Sequence, residues 1–382
     1  MRLLHSADWH LGRVYHGVSL LTEQAHVLDQ FVHLAATHKP DAILLAGDIY
    51  DRSTPPAEAV RLLDRTLTQL VVDLQIPVIA IAGNHDGADR LAFGSHVLQR
   101  AGLTVRGPTQ AHVEPVRLQD AHGTVAIFPL PYADPPTVRH ALQVDALADH
   151  HAALDAQLSD IRGQIQPGER AVLVAHAFVR GGAVTESERD LSVGGTSAVG
   201  VELFGDFDFV ALGHLHRPQQ VGPAPVQYAG SLLKYSFSEL DQQKSATLIE
   251  LGPKGQVTTQ RLPLQPLRDL RAVDGLLADI VARGAQDPHN QDYILARLTD
   301  EGAILDAMGK LRVAYPNALA IERAALMGAG NVLAAGRDHR KMRTEDLFAD
   351  FYLEVTGKTL EADAQDVVAE VVAAVIVHMA ER

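Results

Sequence analysis

Five short polar blocks follow one another along the chain, each placed just after an apolar run: Asp8-Trp9-His10, Gly47-Asp48-Ile49-Tyr50-Asp51, Gly83-Asn84-His85-Asp86, His176 and Gly213-His214-Leu215-His216. Their residue types are those that hold divalent metals through nitrogen and oxygen. A chain with 19 histidines produces D-x-H or G-H-x-H by accident. Taken singly, Asp8 reads as a turn former, Asn84 as a residue that tolerates left-handed backbone, and His176 as a satisfied core histidine. Taken together, the order of the blocks and their position at the ends of apolar runs point to one site.

Asp8 and His10, two residues apart after a strand, can chelate one ion. Asp48 can bridge two ions because a carboxylate has two oxygens, and Asn84 adds a neutral oxygen. The expected division is Asp8, His10, Asp48 and His216 on one ion and Asp48, Asn84, His176 and His214 on the other. A shared Asp48 holds such ions roughly 3.5–4 Å apart, the separation used for in-line displacement at phosphorus with a hydroxide as nucleophile. His85 adjoins a ligand yet stands outside the ligand count, so it is the catalytic candidate, free to contact the phosphate or protonate the leaving oxygen. Asp51 and Asp86 read as carboxylates supporting the ligands from behind, with a helix N-cap as the equal alternative for Asp86.

The elements that must position these residues are legible as apolar runs bounded by turn residues: Leu3-Leu4, 42–45, 78–81, 125–128, 172–174 and 207–212. Helical patterns lie between them at 22–37, at 55–73 (with Thr54 as N-cap and Pro55 in the first turn) and at 144–166. This alternation predicts an α/β fold in which the ligand crevice lies beyond the carboxyl ends of strands. The stretches 226–229 and 246–249 read as consecutive strands with no helix between, which predicts a second, partly antiparallel sheet and hence a double-sheet sandwich flanked by helices. Pro263 and Pro266 mark a domain boundary. Beyond it the pattern gives a small mixed unit with a helix at 272–283, a strand at 292–298, a helix at 303–314 and a strand at 317–323. A linker over 328–338 precedes two helices from Thr344, divided at Gly357-Lys358. The segment 180–200 reads as a mobile loop over the site. Gly181-Gly182 and Gly194-Gly195 are not phosphate loops, because neither joins a strand to a helix.

Composition narrows the function classes. The absence of cysteine excludes disulfide scaffolds and thiolate metal sites, leaving His, Asp and Asn as ligands and favouring manganese, iron or zinc. Nothing approaches the roughly 18 apolar residues of a membrane span. The N-terminus turns polar too early for a secretory signal, so a cytoplasmic protein is expected. A net charge of −14 argues against coating nucleic acid through bulk electrostatics, yet bound cations would neutralise carboxylates where a phosphate approaches.

The blocks D-x-H, G-D-x-x-D, G-N-H-D, a lone His and G-H-x-H together resemble the signature of calcineurin-like metallophosphoesterases. Longer stretches resemble the SbcD-type nuclease subunits of bacterial SbcC–SbcD complexes: Ser6 to Gly12, Ala82 to Asp86, Glu188 to Gly195, Ala211 to Pro218, Tyr228 to Ser231 and Tyr235 to Glu239. The resemblance runs over nearly the whole chain. It implies a manganese-dependent DNA nuclease with two divalent ions, exonuclease action on duplex ends and endonuclease action on single strands or hairpins, in replication, recombination and repair. It also implies a homodimer, an SbcC-type ATPase partner, a nuclease domain over 1–262, a DNA-capping domain over 263–336 and a partner-binding tail over 337–382. The dimer surface would map to the helices at 22–37 and 55–73, and the tail's apolar stripe from Val367 to Ile376 would dock on the partner. Gly47 to Arg52 also resembles the G-D-x-x-D-R block of protein serine/threonine phosphatases. Ser53 and Asp86 stand where those enzymes carry Gly and Glu. The competing functions are therefore a phosphatase or phosphodiesterase acting on a non-DNA substrate, and a non-catalytic scaffold.

Overall fold

The computed structural model describes residues 1–188, 197–222, 225–301, 304–323, 344–356 and 359–380. Chain packing divides into two compact units, Met1–Asp269 and Leu270–Arg382.

Two six-stranded sheets form the first unit. One runs in the order Val257–Pro263, Ser245–Leu251, Arg2–Ser6, Ala42–Ala46, Val78–Ile81, Leu103–Arg106. The other runs Gln219–Gln220, Val226–Tyr228, Phe209–Gly213, Arg170–His176, Gly123–Leu130, Val116–Asp120. The central strands of both are parallel. Because both faces of a parallel strand are covered, such strands read as unbroken apolar runs, and every residue of Ala42–Ala46 and Val78–Ile81 is buried.

Alternate side chains build two apolar layers. Leu3, Leu44, Ile79 and Ile81 of the first sheet meet Ile127, Val174 and Phe209 of the second in the inter-sheet core. On the second sheet's outer face, Phe128, Leu173 and Leu212 pack with Leu154, Leu158 and Ile161 of the helix His150–Gln164. Full burial of such side chains contributes about 1.5–3 kcal/mol each. Helix Leu21–His38 buries Val27, Leu28, Phe31 and Ala35, with the Phe31 ring edge-on to Trp9 at 5.7 Å.

Several boundaries differ from the sequence reading. The second helix begins at Ala57 behind Pro56, without Thr54 as cap, and ends in a π-turn at Gln69–Asp73. The long 144–166 helix starts at His150, where Asp149 caps it by accepting a hydrogen bond from Ala152 N at 2.9 Å, and a separate helix occupies Pro135–Leu142. The strands near 226 and 246 do not pair with each other: Val226–Tyr228 joins one sheet and Ser245–Leu251 the other. Of the 180–200 loop, Phe178–Val179 pairs with Ala198–Val199, and 189–196 lie outside the described residues.

The second unit holds a parallel sheet, Leu270–Gly275, Tyr293–Leu298 and Ala318–Arg323, with helices Leu277–Gly284 and Ala307–Ala314. Leu277, Ile280, Ile294, Ala296 and Leu311 form its core. The expected helix at 272–283 is corrected to a strand ending at Gly275 followed by a helix from Leu277. The apolar positions Val273, Leu277, Ile280 and Val281 keep helical spacing across that junction, while Gly275, at φ 134°, turns the chain. Helices Thr344–Thr356 and Ala362–Ala380 follow; the linker at 328–338 and the break at 357–358 lie outside the described residues. Among the described residues no helix is long and apolar enough to cross a membrane.

Candidate metal centre

Parallel strands of both sheets end on one edge, and the polar blocks begin there. Asp8 follows Arg2–Ser6, Asp48 follows Ala42–Ala46, Asn84 follows Val78–Ile81, His176 ends Arg170–His176, and His214 follows Phe209–Gly213. The chain turns sharply beyond these ends. Asp8, His10, Asp48 and His214 adopt φ values of 52°, 45°, 49° and 106°, a region non-glycine residues rarely enter, costing on the order of 1–3 kcal/mol each. Hydrogen bonds hold the turns: Asp8 N donates to Gly47 O at 3.0 Å, His10 N to Asp48 O at 2.9 Å, and His214 N to the Asp8 carboxylate at 2.9 and 3.1 Å. The glycines of G-N and G-H follow from close approach. A Cβ on Gly83 would lie 2.2 Å from Asp48 Oδ1, and one on Gly213 would lie 1.9 Å from Ala46 O.

The side chains converge. Ligand atoms of Asp8, His10 and His216 lie within 4.8 Å of one another, as do those of Asp48, His176 and His214, and those of His10, Asp51 and His85. His10 Nε2 faces His216 Nε2 at 3.0 Å, Asn84 Oδ1 faces His176 Nε2 at 2.8 Å and His214 Nδ1 at 3.3 Å, and Asp48 Oδ2 lies 3.4 Å from His176 Nε2 and 3.7 Å from His10 Nε2. Donors about 2.1 Å from a common cation lie roughly 3.0 Å apart at octahedral angles and 3.4 Å at tetrahedral ones, so these edges fit ligand shells. His176 Nδ1 donates to Ala46 O at 2.8 Å, which turns Nε2 toward the cluster.

His85 is placed at the rim, its side chain 11% exposed while the rings of His10 and His176 are closed to solvent. Its backbone N–H donates to Asp48 Oδ1 at 2.8 Å and its Nδ1 donates to Asp51 O at 2.8 Å, leaving Nε2 at 3.9 Å from Asp48 Oδ2. The atom of Asp51 that holds His85 is therefore its carbonyl; its carboxylate accepts from Arg13 at 3.2 Å. Asp86 accepts from the backbone N–H groups of Ile49, Tyr50 and Gly83 at 3.1, 2.9 and 2.9 Å and so fixes the turn after Asp48, while the following short helix is headed by Gly87.

Sequence reasoning missed a buried frame around these ligands. Gln24 donates to Trp9 O and His10 O at 3.1 and 2.7 Å and accepts from Gly12 N at 3.0 Å; Tyr235 O–H donates to Trp9 O at 2.6 Å. A polar residue one helical turn before Leu28, on the face that turns inward, was the available signal for Gln24. Ser187, Glu188, Glu239 and Lys244, gathered around His216, had none beyond their place in particular stretches.

Charge is finely set. Burial is the largest influence on Asp48 and would raise it, but His176, His10 and His85 together hold it well below the usual carboxylate range. Asp8 is pushed well up, mainly by burial. Burial depresses His10 and His214. It also opposes protonation of His176, yet Asp48, Asp8 and the Ala46 carbonyl outweigh it and push that imidazole up to about 9. Asp86 is pushed up to about 6 by burial and by Asp48. A cation in the pocket would replace the proton on His176.

Strand ends from two sheets bearing this donor set define the class: the calcineurin-like phosphoesterase family matches residues 1–218. A second family, described as the type 5 capsule protein repressor C-terminal domain, matches residues 264–356. The chain is 32% identical to the SbcD subunit of the SbcCD nuclease of Staphylococcus saprophyticus, covering 98% of this chain and 99% of that one, and 32% identical to the protein of the same name from Staphylococcus epidermidis, covering 96% of each. The chain belongs to this SbcD family of metal-dependent nuclease subunits. Among solved structures, a dimetal phosphatase from Danio rerio aligns with 69% of this chain and 99% of its own at 14% identity and a TM-score of 0.41.

Proposed function

We propose that the chain is a two-metal DNA nuclease, an exonuclease on duplex ends and an endonuclease on single strands and hairpins, working with an SbcC-type ATPase in DNA end processing. The observation that carries this is the meeting of Asp8, His10 and His216 with Asp48, His176 and His214 at one sheet edge, with Asn84 Oδ1 turned to the second group. We assign Asp8, His10, Asp48 and His216 to one ion and Asp48, Asn84, His176 and His214 to the other, with Mn2+ as the metal. When bound, such a pair supplies Lewis acidity at the phosphorus and eases deprotonation of the attacking water. The chain's own part is to hold the ligands rigidly and to offer His85 Nε2 at the rim, where it can hydrogen-bond a phosphate oxygen or the leaving oxygen. Asp51 O keeps the His85 proton on Nδ1, and Asp86 keeps the Asp48 turn in place.

Residues 1–262 are read as the nuclease domain, 263–336 as a DNA-capping domain and 337–382 as the tail that grips the ATPase; the self-contained core of the second unit supports a separate cap. The molecule acts in the cytoplasm. For the homodimer, the helix at 21–38 bears no exposed large apolar residue, whereas Val60 and Val72, and Phe93 at 85% and Val97 at 75% exposure, do lie open. Val60 lines an apolar cavity of about 250 Å³ with Leu63, Leu67, Leu91 and Leu98. The homodimer is read as forming through the helices at 22–37 and 55–73, the second of which carries Val60 and Val72.

The test is Mn2+-dependent cleavage of a hairpin duplex together with metal content. His85→Ala should retain both ions and lose at least about a hundredfold in rate, whereas Asp48→Ala should lose metal and activity together. Parental cleavage by both variants would refute the site.

A further inference from the structure

The ring of His216 is held from both sides. Its Nε2 faces His10; its Nδ1 lies 2.6 Å from Ser187 Oγ, which itself lies 2.5 Å from Glu239 Oε1. Glu239 is fully buried, and its other oxygen accepts from Lys244 Nζ at 2.6 Å. Lys244, also buried, donates to His216 O at 2.8 Å, while Ser236 Oγ donates to Glu239 Oε1 at 3.1 Å. Glu188 Oε1 accepts from His216 N at 2.8 Å.

Ser187 Oγ also lies 2.9 Å from Thr185 Oγ1, but its contact with Glu239 Oε1 is the shorter and the charged one. A carboxylate paired with Lys244 only accepts, so the single Ser187 hydroxyl proton goes to Glu239. The Ser187 oxygen must then accept from His216 Nδ1–H, which leaves the lone pair of His216 on Nε2, toward His10. We propose that Ser187 and Glu239 are positioning residues of the metal centre: Glu239, acting through Ser187, fixes His216 in the Nδ1–H tautomer that presents Nε2 to the cation. This rests on the reading of His216 as a cation ligand. It also makes the segment Thr185–Glu188 part of the metal centre rather than only a cover over it, since Glu186 N and the Thr185 hydroxyl bond to the same 238–239 turn.

Glu239→Gln gives the sharpest consequence. With Lys244 still donating, the amide oxygen turns to Lys244 and the amide N–H₂ to Ser187; with Thr185 Oγ1, 2.9 Å away, also donating to Ser187, the Ser187 proton goes to His216 Nδ1 and the ring proton moves to Nε2. Tautomers are read in the metal-free protein by ¹⁵N resonances of labelled histidine rings, with His216 identified by its loss in His216→Ala. Mn2+ affinity is read by electron paramagnetic resonance of the free ion. The parent should show Nδ1–H at His216, and Glu239→Gln should show Nε2–H. Ser187→Ala should weaken one of the two ions about 10- to 100-fold, and Ser187→Thr should restore it. An Nε2–H tautomer in the parent, or parental Mn2+ affinity in both Ser187→Ala and Glu239→Gln, would overturn the relay. If Ser187→Ala loses its native melting transition, the tautomer of the parent decides alone. His216→Ala separates the two levels: parental Mn2+ binding there refutes the ligand reading itself, whereas loss of one ion there with none in either Ser187→Ala or Glu239→Gln refutes only the relay.

Discussion

Two histidines in the pocket are assigned by what their Nδ1 does. His176 gives Nδ1–H to Ala46 O and His85 gives Nδ1–H to Asp51 O, so in both the nitrogen left for a ligand is Nε2, directed inward to Asn84 and Asp48 in one case and toward the rim in the other. The metal-free pocket keeps a proton on His176 because Asp48 and Asp8 outweigh burial and raise it to about 9. Only the neutral ring can bind a cation. Below about pH 9, therefore, ion binding must expel that proton, and Mn2+ affinity should rise by at least about tenfold for each pH unit up to that point, more where Asp8 is also protonated. Calorimetric titration at about pH 7 and about pH 8, in buffers of different ionisation enthalpy, would show this release; affinity independent of pH would contradict it.

At the level of elements, the sequence made the strands legible because parallel strands covered on both faces must be apolar throughout, and it made their ends legible because a buried ligand and a glycine at close approach leave little choice of residue. Asp8, Asp48, Asn84 and His214 were visible for that reason. What could not be read was pairing over distance: which sheet takes Val226–Tyr228, which carboxylate lies behind His216, or that Gly275 divides a continuous apolar period into strand and helix. His5 was equally silent. It lies fully buried on Arg2–Ser6, and burial, only partly offset by the Leu212 backbone, pushes it down to about 3. A folded value below the unfolded 6.5 means that the unfolded chain binds the extra proton between about pH 6.5 and 3, so the stability due to a neutral His5 is present above 6.5 and lost as pH falls. Urea denaturation of metal-free protein should show the parent losing about 1.4 kcal/mol more than His5→Leu per pH unit below about 6.5. Equal pH slopes would contradict this.

At the level of the whole molecule, the proposed function asks an acidic chain to handle an acidic polymer, and cations held at one edge, a capping unit and a partner are the means that proposal gives it. Truncation before Thr344 should abolish capture by the SbcC-type ATPase and leave Mn2+-dependent hairpin cleavage intact; global unfolding of the truncated chain, seen in its melting curve, would instead make the tail part of the core. The proposed chemistry depends throughout on cations shared by the two sheets. The most direct measurement is an anomalous difference map from crystals soaked in Mn2+: two peaks roughly 3.5–4 Å apart, with Asp48 between them, His216 on one and His176 on the other, are expected. A single peak, or peaks that Asp48 does not bridge, would contradict it.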